Sequence, residues 1–296
     1  MNIVVVGPGS IGTLWAYKLK QAGHKVSIQS RVDGDTLSLT INDQRPVTLP
    51  NNHLRQIADA DLILVTLKAW QVSSALNQIR SHIAPEAMIL LLHNGMGTAE
   101  SVSQVFSSNP ILLGTTTHGA FQPQKHHSKH VGLGQTLIGA HNHQALQCGF
   151  IADVLNHALP ECIWQNNIQS ALWNKLATNC AINPLTALHN IRNGALSEMQ
   201  YQETLDQIVL EVSQVMACEG FAVAQQALRQ QVDSVIEKTA ENYSSMQQDI
   251  FYQRPTEIDF ISGYLLNCAR KHSIETPANQ KLYTAIKQIE NIGSCS

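Results

Sequence analysis

The stretch Asn2-Ile3-Val4-Val5-Val6-Gly7-Pro8-Gly9-Ser10-Ile11-Gly12 decides the fold of the first half of the chain. The β-branched apolar run over residues 2–6 predicts a buried strand of a parallel sheet. A helical pattern follows and extends to Gly23, a typical C-cap residue. A GxGxxG pattern between a strand and a helix is the fingerprint of a dinucleotide-binding turn.

The three glycines of this turn have different tasks. Gly7 permits the tight turn, Gly9 lets a pyrophosphate approach the backbone, and Gly12 lets the helix pack closely on the sheet. The helix N-terminus then offers free N–H groups and its positive dipole end to the phosphates. We therefore predict cofactor contacts along the whole turn, from Gly7, Pro8, Gly9, Ser10, Ile11 and Gly12. The alternative is a glycine-rich turn without a ligand.

The end of the second predicted strand, Lys25 to Ser30, indicates which dinucleotide is bound. NAD-binding proteins place an acidic residue there for the ribose 2′-hydroxyl. This chain instead has Arg31, a cation that suits a 2′-phosphate, so the sequence favours NADP. Asp33 is the counter-argument, and a solvated charge at the strand end is the alternative role for Arg31.

Three more buried strands are predicted, and a small hairpin with a turn at Asn42-Asp43 lies between residues 35 and 49. The predicted strands cover residues 61–67, 87–92 and 111–114. Since ligands gather at the carboxyl ends of parallel strands, we expect Gly9, Lys68, Asn94 and Ala120 in turn along one sheet edge. Asn94, within His93-Asn94-Gly95-Met96-Gly97, is placed to bridge cofactor and substrate.

Two histidine clusters, at residues 126–130 and 141–143, raise the question of a metal site. They flank residues 131–138, which alternate in polarity and predict a late strand with polar loops on both sides. Neither cluster has a helical i, i+4 pair or the carboxylate that transition-metal sites usually contain. We therefore predict no metal.

Composition excludes several classes of protein. The 296 residues predict about two domains, and 44% hydrophobic with 14% charged residues argue against disorder. The net charge of -3 without a long basic run argues against nucleic acid as a partner. No apolar run reaches the ~18 residues of a membrane span, and residues 1–7 lack a signal-peptide pattern. The six cysteines form no CxxC pair, which predicts reduced thiols in a cytoplasmic protein.

The stretch from Asn167 to Pro184 predicts a helix that links the first half to a helical second half. Lys175, Asn179 and Asn183 are spaced four residues apart, so they lie on one face of that helix. One cation and two amides in a column suggest a polar site on an otherwise apolar segment. The alternative is a solvated stripe on an amphipathic helix.

After Trp164 the hydrophobic pattern has a period of 3.6 residues, which predicts helices to the end of the chain. The predicted helices cover residues 203–219, 225–240, 241–252 and 257–271, and a last helix has Pro277 near its first position. Thr256 and Asp259 suggest a capping box, with Glu257 in the first turn, where the helix dipole favours a carboxylate.

These motifs occur together in one known family. The glycine turn, Lys68-Ala69-Trp70-Gln71, the segment around Asn94, the column of Lys175 and the segment Arg254-Pro255-Thr256-Glu257-Ile258-Asp259 follow one another as in 2-dehydropantoate 2-reductases, also called ketopantoate reductases. Over nearly its whole length the chain closely resembles that family. The resemblance implies an α/β fold with an N-terminal doubly wound Rossmann domain (1–165) and an all-helical C-terminal domain (166–296) like that of 6-phosphogluconate dehydrogenase.

The resemblance also implies an activity and a set of site residues. The family reduces ketopantoate to (R)-pantoate with NADPH, on the route to pantothenate and coenzyme A, in a cleft between the domains. It implies Lys175 as proton donor, Glu257 as the essential acid beside cofactor and substrate, and Arg31 with Gln71 close by as ligands of the 2′-phosphate. Positions around the nicotinamide correspond to Lys68, Asn94 and Ala120, and substrate-binding positions correspond to Asn94, Lys175, Asn179, Asn183, Asn193 and Ser245. Both a monomer and a homodimer remain open.

The residues themselves give the chemistry that such a reductase needs. Hydride addition to a ketone creates a developing alkoxide, and a lysine supplies both the proton and a positive partner. Burial would lower the pKa of Lys175 and a nearby Glu257 would raise it, and the sequence leaves open which of the two effects is larger. Two alternative functions are the reduction of a different branched 2-keto acid and the binding of NADP by a regulatory sensor that catalyses no reaction.

Overall fold

A computed structural model describes residues 1–293 of the chain, with the side chains of residues 292 and 293 left out. The chain folds into two compact units, one of residues 1–93 and 97–171, the other of residues 94–96 and 172 onward. The domain boundary expected after residue 165 stays a prediction. Cys295 lies outside the described residues, and the other five cysteines are free thiols, at positions 148, 162, 180, 218 and 268.

A seven-stranded sheet forms the centre of the first unit, in the order β11-β10-β7-β6-β5-β1-β2. Its strands are β1 (Asn2–Val6), β2 (Lys25–Gln29), β5 (Leu62–Val65), β6 (Met88–Leu92), β7 (Ile111–Thr116), β10 (Thr136–Ala140) and β11 (Cys162–Trp164). From β2 to β7 all neighbours are parallel, and only the pairing of β7 with β10 is antiparallel. The strands β1, β5 and β6 are almost wholly buried, which explains their continuous apolar sequences.

The strand order reverses beside β1, since the chain continues to β2 on one side and returns to β5 on the other. Such a switch point opens a crevice outside the carboxyl ends of the two diverging strands, where doubly wound sheets bind their ligands. The glycine turn follows β1 directly at this point, and Thr66 follows β5. The expected doubly wound α/β architecture is therefore confirmed.

A second, four-stranded sheet in the first unit has the order β4-β3-β9-β8. Its strands are β3 (Thr36–Ile41), β4 (Val47–Pro50), β8 (Gly119–Gln124) and β9 (His127–Gly132). The expected hairpin is β3-β4, and Asn42, with φ 52°, starts its turn. The single strand expected over 131–138 is wrong: Gly132 ends β9 and Thr136 begins β10, which belong to different sheets. The alternation of polar and apolar residues continues across the bend between β9 and β10, so the sequence pattern did not reveal the bend.

Short helices complete the first unit. They are α1 (Ser10–Gln21), α2 (Leu54–Ala58), α3 (Ala69–Ile79), α4 (Ala99–Val105) and α5 (Ile151–Ala158). After α1, Gly23 adopts φ +89° and its N–H donates to the carbonyl of Lys20, as expected of a residue that ends a helix. Trp15 and Leu14 of α1 are fully buried in the core that the helix shares with the sheets.

Helices form the second unit, as expected. They are α6 (Ile168–His189), whose first four residues belong to the first unit, α7 (Met199–Cys218), α8 (Gln225–Lys238), α9 (Ser245–Phe251), α10 (Ser262–Lys271) and α11 (Pro277–Gly293). The apolar face predicted for α7 is buried without exception, at Leu205, Ile208, Val209, Val212 and Val215. None of the helices within residues 1–293 has the length and hydropathy needed to cross a lipid bilayer.

The capping box expected at Thr256 and Asp259 is wrong. A 3₁₀ turn over Ile258–Phe260 comes first, and α10 begins only at Ser262, so Glu257 precedes the 3₁₀ turn and is outside the first turn of α10. The Asp259 carboxylate binds Tyr283 and Lys287 of α11 instead of reaching back to Thr256. Contacts with a helix later in the chain therefore decide the local structure here.

Candidate functional site

The glycine turn has the geometry that its sequence predicts. Gly7 has φ +95°, and a Cβ there would lie 2.4 Å from Cδ2 of Leu67. A Cβ on Gly12 would lie 2.0 Å from the carbonyl oxygen of Gly7 and 2.4 Å from Oγ1 of Thr66. That hydroxyl donates to the Gly7 carbonyl over 2.8 Å, which joins the ends of β1 and β5. Both glycines are thus required by the packing of the turn itself.

Gly9 is different, because no contact with the described residues 1–293 requires a glycine there. Its φ is -72°, it is exposed, and no atom lies within 4 Å of a Cβ built on it. It is the N-cap of α1, which has neither a capping side chain nor an acidic residue in its first turn. An open approach to an uncapped helix N-terminus, lined by Ser10 and Ile11, fits a dinucleotide pyrophosphate. Pro8 lies between the two glycines and is half-buried.

Gln122 of β8 holds the turn from the second sheet, a role that the sequence did not reveal. Its side-chain amide donates to the carbonyl of Pro8 over 2.9 Å and to Oγ1 of Thr13 over 3.0 Å. Ala120 lies two residues earlier, paired with His130 of β9. Ala120 therefore belongs to β8 of the second sheet, and its place among the cofactor contacts stays a prediction. The chain turns after β7 and forms a new strand, because residues 119–124 pair with 127–132.

Arg31 is exposed, in the bend that follows β2. Its side chain has no ion-pair or hydrogen-bond partner within residues 1–293. Two asparagine side chains fix the backbone around it. Nδ2 of Asn51 donates to the carbonyls of Val32 and Gly34 over 2.9 and 2.8 Å, and Oδ1 of Asn52 accepts the Ser30 N–H over 2.9 Å. Sequence analysis missed this pair, although two adjacent asparagines before a helix are a turn signal.

Lys68 is the N-cap of α3. Thr66 and Leu67 link it to the end of β5. Its backbone N–H donates to Oε1 of Gln71 over 3.3 Å, and the Gln71 N–H donates to the Lys68 carbonyl over 2.9 Å. These reciprocal bonds satisfy the start of the helix and fix the side chain of Gln71 there. Lys68 and Gln71 thus begin α3 beyond the carboxyl end of β5, and their contacts with the cofactor stay a prediction.

The histidines contact one another without building a site. His118 Nδ1 lies 3.2 Å from Nε2 of His130, and desolvation lowers the pKa of both rings. His127 and His130 were expected in a polar loop, but the structure places both in β9. No group of three His, Cys, Asp or Glu side chains able to hold a metal ion is found in the described part of the chain.

The column on α6 has an unusual electrostatic environment. Burial lowers the pKa of Lys175 from 10.5 to about 8, and the negative charge of Glu257 opposes that shift. The balance that the sequence left open is thus decided in favour of burial. Asn179, one turn later, is half-buried and its Nδ2 has no partner among residues 1–293, while Asn183 is buried. The desolvated amine of Lys175, the buried and unpaired Nδ2 atom of Asn179 and the buried side chain of Asn183 contradict the alternative of a solvated stripe.

Glu257 is only 3% exposed and lies beside both Lys175 and Asn94. Nδ2 of Asn94 donates to Oε2 of Glu257 over 3.3 Å. Asn94 follows β6 in sequence but belongs to the second compact unit. The neighbouring Gly95 has φ +78°, and its Cβ would lie 2.5 Å from the carbonyl oxygen of Phe260, which accepts the Met96 N–H over 2.8 Å.

The remaining two predicted substrate residues differ in their surroundings. Asn193 is buried, its Nδ2 donates to Oγ1 of Thr239 over 2.9 Å, and its Oδ1 has no partner among the described residues. Ser245 is exposed and is the first residue of α9. Ser244 before it is the buried N-cap, bonded through its hydroxyl to Thr186 over 2.7 Å. Asn193 lies between α6 and α7, and its backbone N–H donates over 2.9 Å to the carbonyl of Asn242, in the loop between α8 and α9 that leads to Ser245.

In the second unit, therefore, the structure gathers a lysine with a pKa of about 8, a buried carboxylate beside it and buried polar atoms without partners among the described residues. A group of this kind donates a proton to a developing anion and stabilises its charge. In the first unit, the structure builds an anion-binding turn at a topological switch point, with an available cation at the end of β2. This combination is typical of dinucleotide-dependent reduction.

Comparison with known proteins extends these observations over the whole chain. Residues 3–143 match the family model described as Ketopantoate reductase PanE/ApbA, and residues 167–290 match the model of its C-terminal domain. A 2-dehydropantoate 2-reductase of Vibrio cholerae serotype O1 is 47% identical over 290 residues, covering 98% of both chains.

Solved structures show the same fold. The PanE/ApbA family ketopantoate reductase from Ralstonia eutropha JMP134 superimposes with a TM-score of 0.88 at 23% identity, covering 99% of each chain. A ternary complex of D-mandelate dehydrogenase with NADH and anilino(oxo)acetate superimposes with a TM-score of 0.89 at 23% identity, again over 99% of each chain. At this level of identity these two structures establish the architecture alone.

Proposed function

Because the chain belongs to the ketopantoate reductase family, a family of oxidoreductases, we propose that it reduces 2-dehydropantoate (ketopantoate) to (R)-pantoate with NADPH. The reaction is a step of pantothenate and coenzyme A biosynthesis. Lys175 is the proton donor in this proposal, and Glu257 is the acid that accompanies it.

The observation that carries the proposal is the pairing of Lys175 with Glu257 in the second unit. Burial brings the pKa of Lys175 to about 8, so the amine is protonated at neutral pH yet releases its proton readily. A general acid is most effective when its pKa lies near the working pH. The negative charge of Glu257, which is buried and bonded to Asn94, raises the pKa of Lys175 and so favours the protonated ammonium.

The proton is transferred from Nζ of Lys175 to the keto oxygen of the substrate. As the carbonyl carbon gains its new C–H bond, the C=O π electrons move onto oxygen, and that oxygen takes the proton from the ammonium. Lys175 is left as a neutral amine, which regains a proton from solvent before the next turnover. Before the transfer, the same ammonium stabilises the negative charge that develops on oxygen.

Two buried atoms support a hydroxylated keto acid as substrate. Nδ2 of Asn179 is a donor without an acceptor, and Oδ1 of Asn193 is an acceptor without a donor, among the described residues. A buried polar atom left unpaired costs about 1–3 kcal/mol, so each of these atoms favours a ligand that completes it. Ketopantoate offers carboxylate and keto oxygens as acceptors and a C4 hydroxyl as donor.

The turn from Gly7 to Gly12 and the cation of Arg31 would hold the cofactor. NADPH, when bound, supplies the hydride. The open space at Gly9 and the uncapped start of α1 suit its pyrophosphate, and Arg31 suits its 2′-phosphate. Lys68, Gln71, Asn94 and Ala120 remain predicted contacts of the cofactor, and Glu257 is predicted to lie beside both cofactor and substrate.

The test is to incubate the purified protein with NADPH and each of several 2-keto acids, and to measure the rate at which NADPH absorbance is lost. Ketopantoate is expected to give the highest kcat/KM, above 3-methyl-2-oxobutanoate and above 3,3-dimethyl-2-oxobutanoate, which differs from ketopantoate only by the missing hydroxyl. A higher kcat/KM with another branched keto acid would identify a related reductase. Binding of NADPH without oxidation by any keto acid would identify a dinucleotide sensor, and either result would refute the proposed substrate.

A further inference from the structure

The segment that carries Glu257 is held by three side chains of the last helix, α11. Residues 283, 287 and 290 are spaced by four and three, so Tyr283, Lys287 and Glu290 lie on one face of that helix. Tyr283 donates from its hydroxyl to Asp259 over 2.7 Å, and Lys287 binds the other carboxylate oxygen of Asp259 at 3.0 Å. The segment is therefore fixed on the C-terminal side of Glu257.

Glu290 fixes the segment on the other side, through the residue immediately before Glu257. Oε1 of Glu290 accepts both the backbone N–H of Thr256 over 2.8 Å and its hydroxyl over 2.7 Å. The Thr256 hydroxyl in turn accepts the N–H of Ile258 over 3.1 Å. One carboxylate oxygen thus determines the position of the backbone on both sides of Glu257. Lys287 neutralises the remaining oxygen of Glu290 at 3.0 Å.

Thr256 and Glu257 are both buried, so this arrangement has few substitutes. If the Glu290 carboxylate is removed, two buried donors of Thr256 lose their acceptor, and water has little access to replace it. The backbone of residues 256–258 then loses the contacts that fix its position. Glu257 would leave the position in which Asn94 and Lys175 contact it.

From these contacts we infer that Glu290 is a positioning residue for the reaction: it holds Thr256 and thereby keeps the carboxylate of Glu257 beside Lys175. This inference rests on the proposed function, in which Glu257 accompanies the proton donor. Glu290 bonds to the backbone and hydroxyl of Thr256, and its proposed effect on Glu257 passes through these bonds.

The first test is a double-mutant cycle measured on kcat with NADPH and ketopantoate. Glu290→Ala is expected to lower kcat by roughly tenfold or more, since displacement of a group by about 1 Å costs up to 10²-fold. In the Glu257→Gln background the same substitution should cost no more than about twofold, because two residues acting through one contact are not additive. Equal losses in both backgrounds would overturn the inference.

The conservative variant separates positioning from charge. Glu290→Gln retains an oxygen that accepts both bonds from Thr256, so it should keep most of the kcat that Glu290→Ala loses. Thr256→Val removes the hydroxyl and should reproduce the loss, whereas Thr256→Ser should not. These two substitutions at Thr256 also decide the question if Glu290→Ala does not fold. Retention of full kcat by Thr256→Val would contradict the inference.

Glu211 of α7 is a matched structural control, because it binds the other end of α11. Its buried carboxylate accepts the N–H groups of Ala278 and Asn279 over 2.7 and 2.9 Å, at the start of α11. Glu211→Gln should lower the melting temperature, and any change in kcat should be the same with and without Glu257. If the loss of kcat in Glu211→Gln depended on Glu257 as strongly as the loss in Glu290→Ala does, any disturbance of α11 would be enough to displace Glu257. That result would overturn the specific role of Glu290.

A readout without catalysis distinguishes failure of this inference from failure of the proposed function. The pKa of Lys175 can be followed by NMR after reductive ¹³C-methylation of the lysines. Because Glu257 raises that pKa, Glu290→Ala should lower it in the parent protein and leave it unchanged in the Glu257→Gln variant. An unchanged pKa in the parent background would refute the inference, whichever keto acid the protein reduces.

Discussion

Asn94 donates a hydrogen bond to Glu257 over 3.3 Å, although 163 residues separate them in sequence. Asn94 follows His93 after the end of β6, and Glu257 lies before a 3₁₀ turn in the helical half of the chain. The two segments also form a backbone hydrogen bond, in which the N–H of Met96 donates to the carbonyl of Phe260. A residue from a strand end is thereby built into the same group as the proposed proton donor.

Replacement of Lys175 tests the proton donor directly. Lys175→Ala should lower kcat with ketopantoate by about 10²–10⁴-fold, the usual contribution of a general acid. The exposed Lys271 provides the control, and Lys271→Ala should retain the parent kcat. Both are measured by NADPH oxidation. Full activity of the Lys175 variant would disprove its assignment.

The pH dependence follows from the lowered pKa of Lys175. Since reduction requires the protonated amine, kcat/KM should be level at neutral pH and fall above about pH 8, by about tenfold per pH unit. Glu257 raises this pKa, so Glu257→Gln should move the fall to lower pH. Lys175→Arg, whose side chain does not deprotonate in this range, should abolish the fall. A profile that rises through pH 8 would be inconsistent with a lysine acid.

Arg31 should decide between the two forms of the cofactor. Arg31→Ala is expected to raise KM for NADPH and leave KM for NADH nearly unchanged, because only NADPH carries the 2′-phosphate. A charged hydrogen bond contributes about 1.5–3 kcal/mol, so the ratio of kcat/KM for the two cofactors should fall by about tenfold or more. Arg55, an exposed arginine paired with Asp59, is the control. A parent protein that prefers NADH would contradict the role given to Arg31.

Gly95 and Gly220 allow steric effects to be separated from backbone strain. Both have positive φ, and alanine in that region costs roughly 1–2 kcal/mol. Nothing lies within 4 Å of a Cβ on Gly220, whereas one on Gly95 would lie 2.5 Å from the Phe260 carbonyl oxygen. Gly220→Ala should therefore reduce only the free energy of unfolding in urea. Gly95→Ala should reduce it further and also lower kcat, since it displaces Asn94 from Glu257; equal kcat for the two variants would argue against this coupling.

The predictable part of the fold is local. The apolar runs of β1, β5 and β6, the GxGxxG turn and the period of α6 and α7 each require one kind of structure. The clearest failures lie where distant segments decide. Residues 119–132 form a second sheet because they pair with one another and with β3, and no pattern within residues 131–138 reveals the bend at residues 133–135.

The sequence by itself determined the dinucleotide turn, the helical column of Lys175, Asn179 and Asn183, and the resemblance to one family, because these depend on spacing along the chain. Only the tertiary structure decided how these residues are charged and held. It brought Asn94 to Glu257, Gln122 to the glycine turn and Glu290 to Thr256. It also resolved the opposing effects on Lys175, since the degree of burial around an amine is a property of the packed helices and not of its neighbours in sequence.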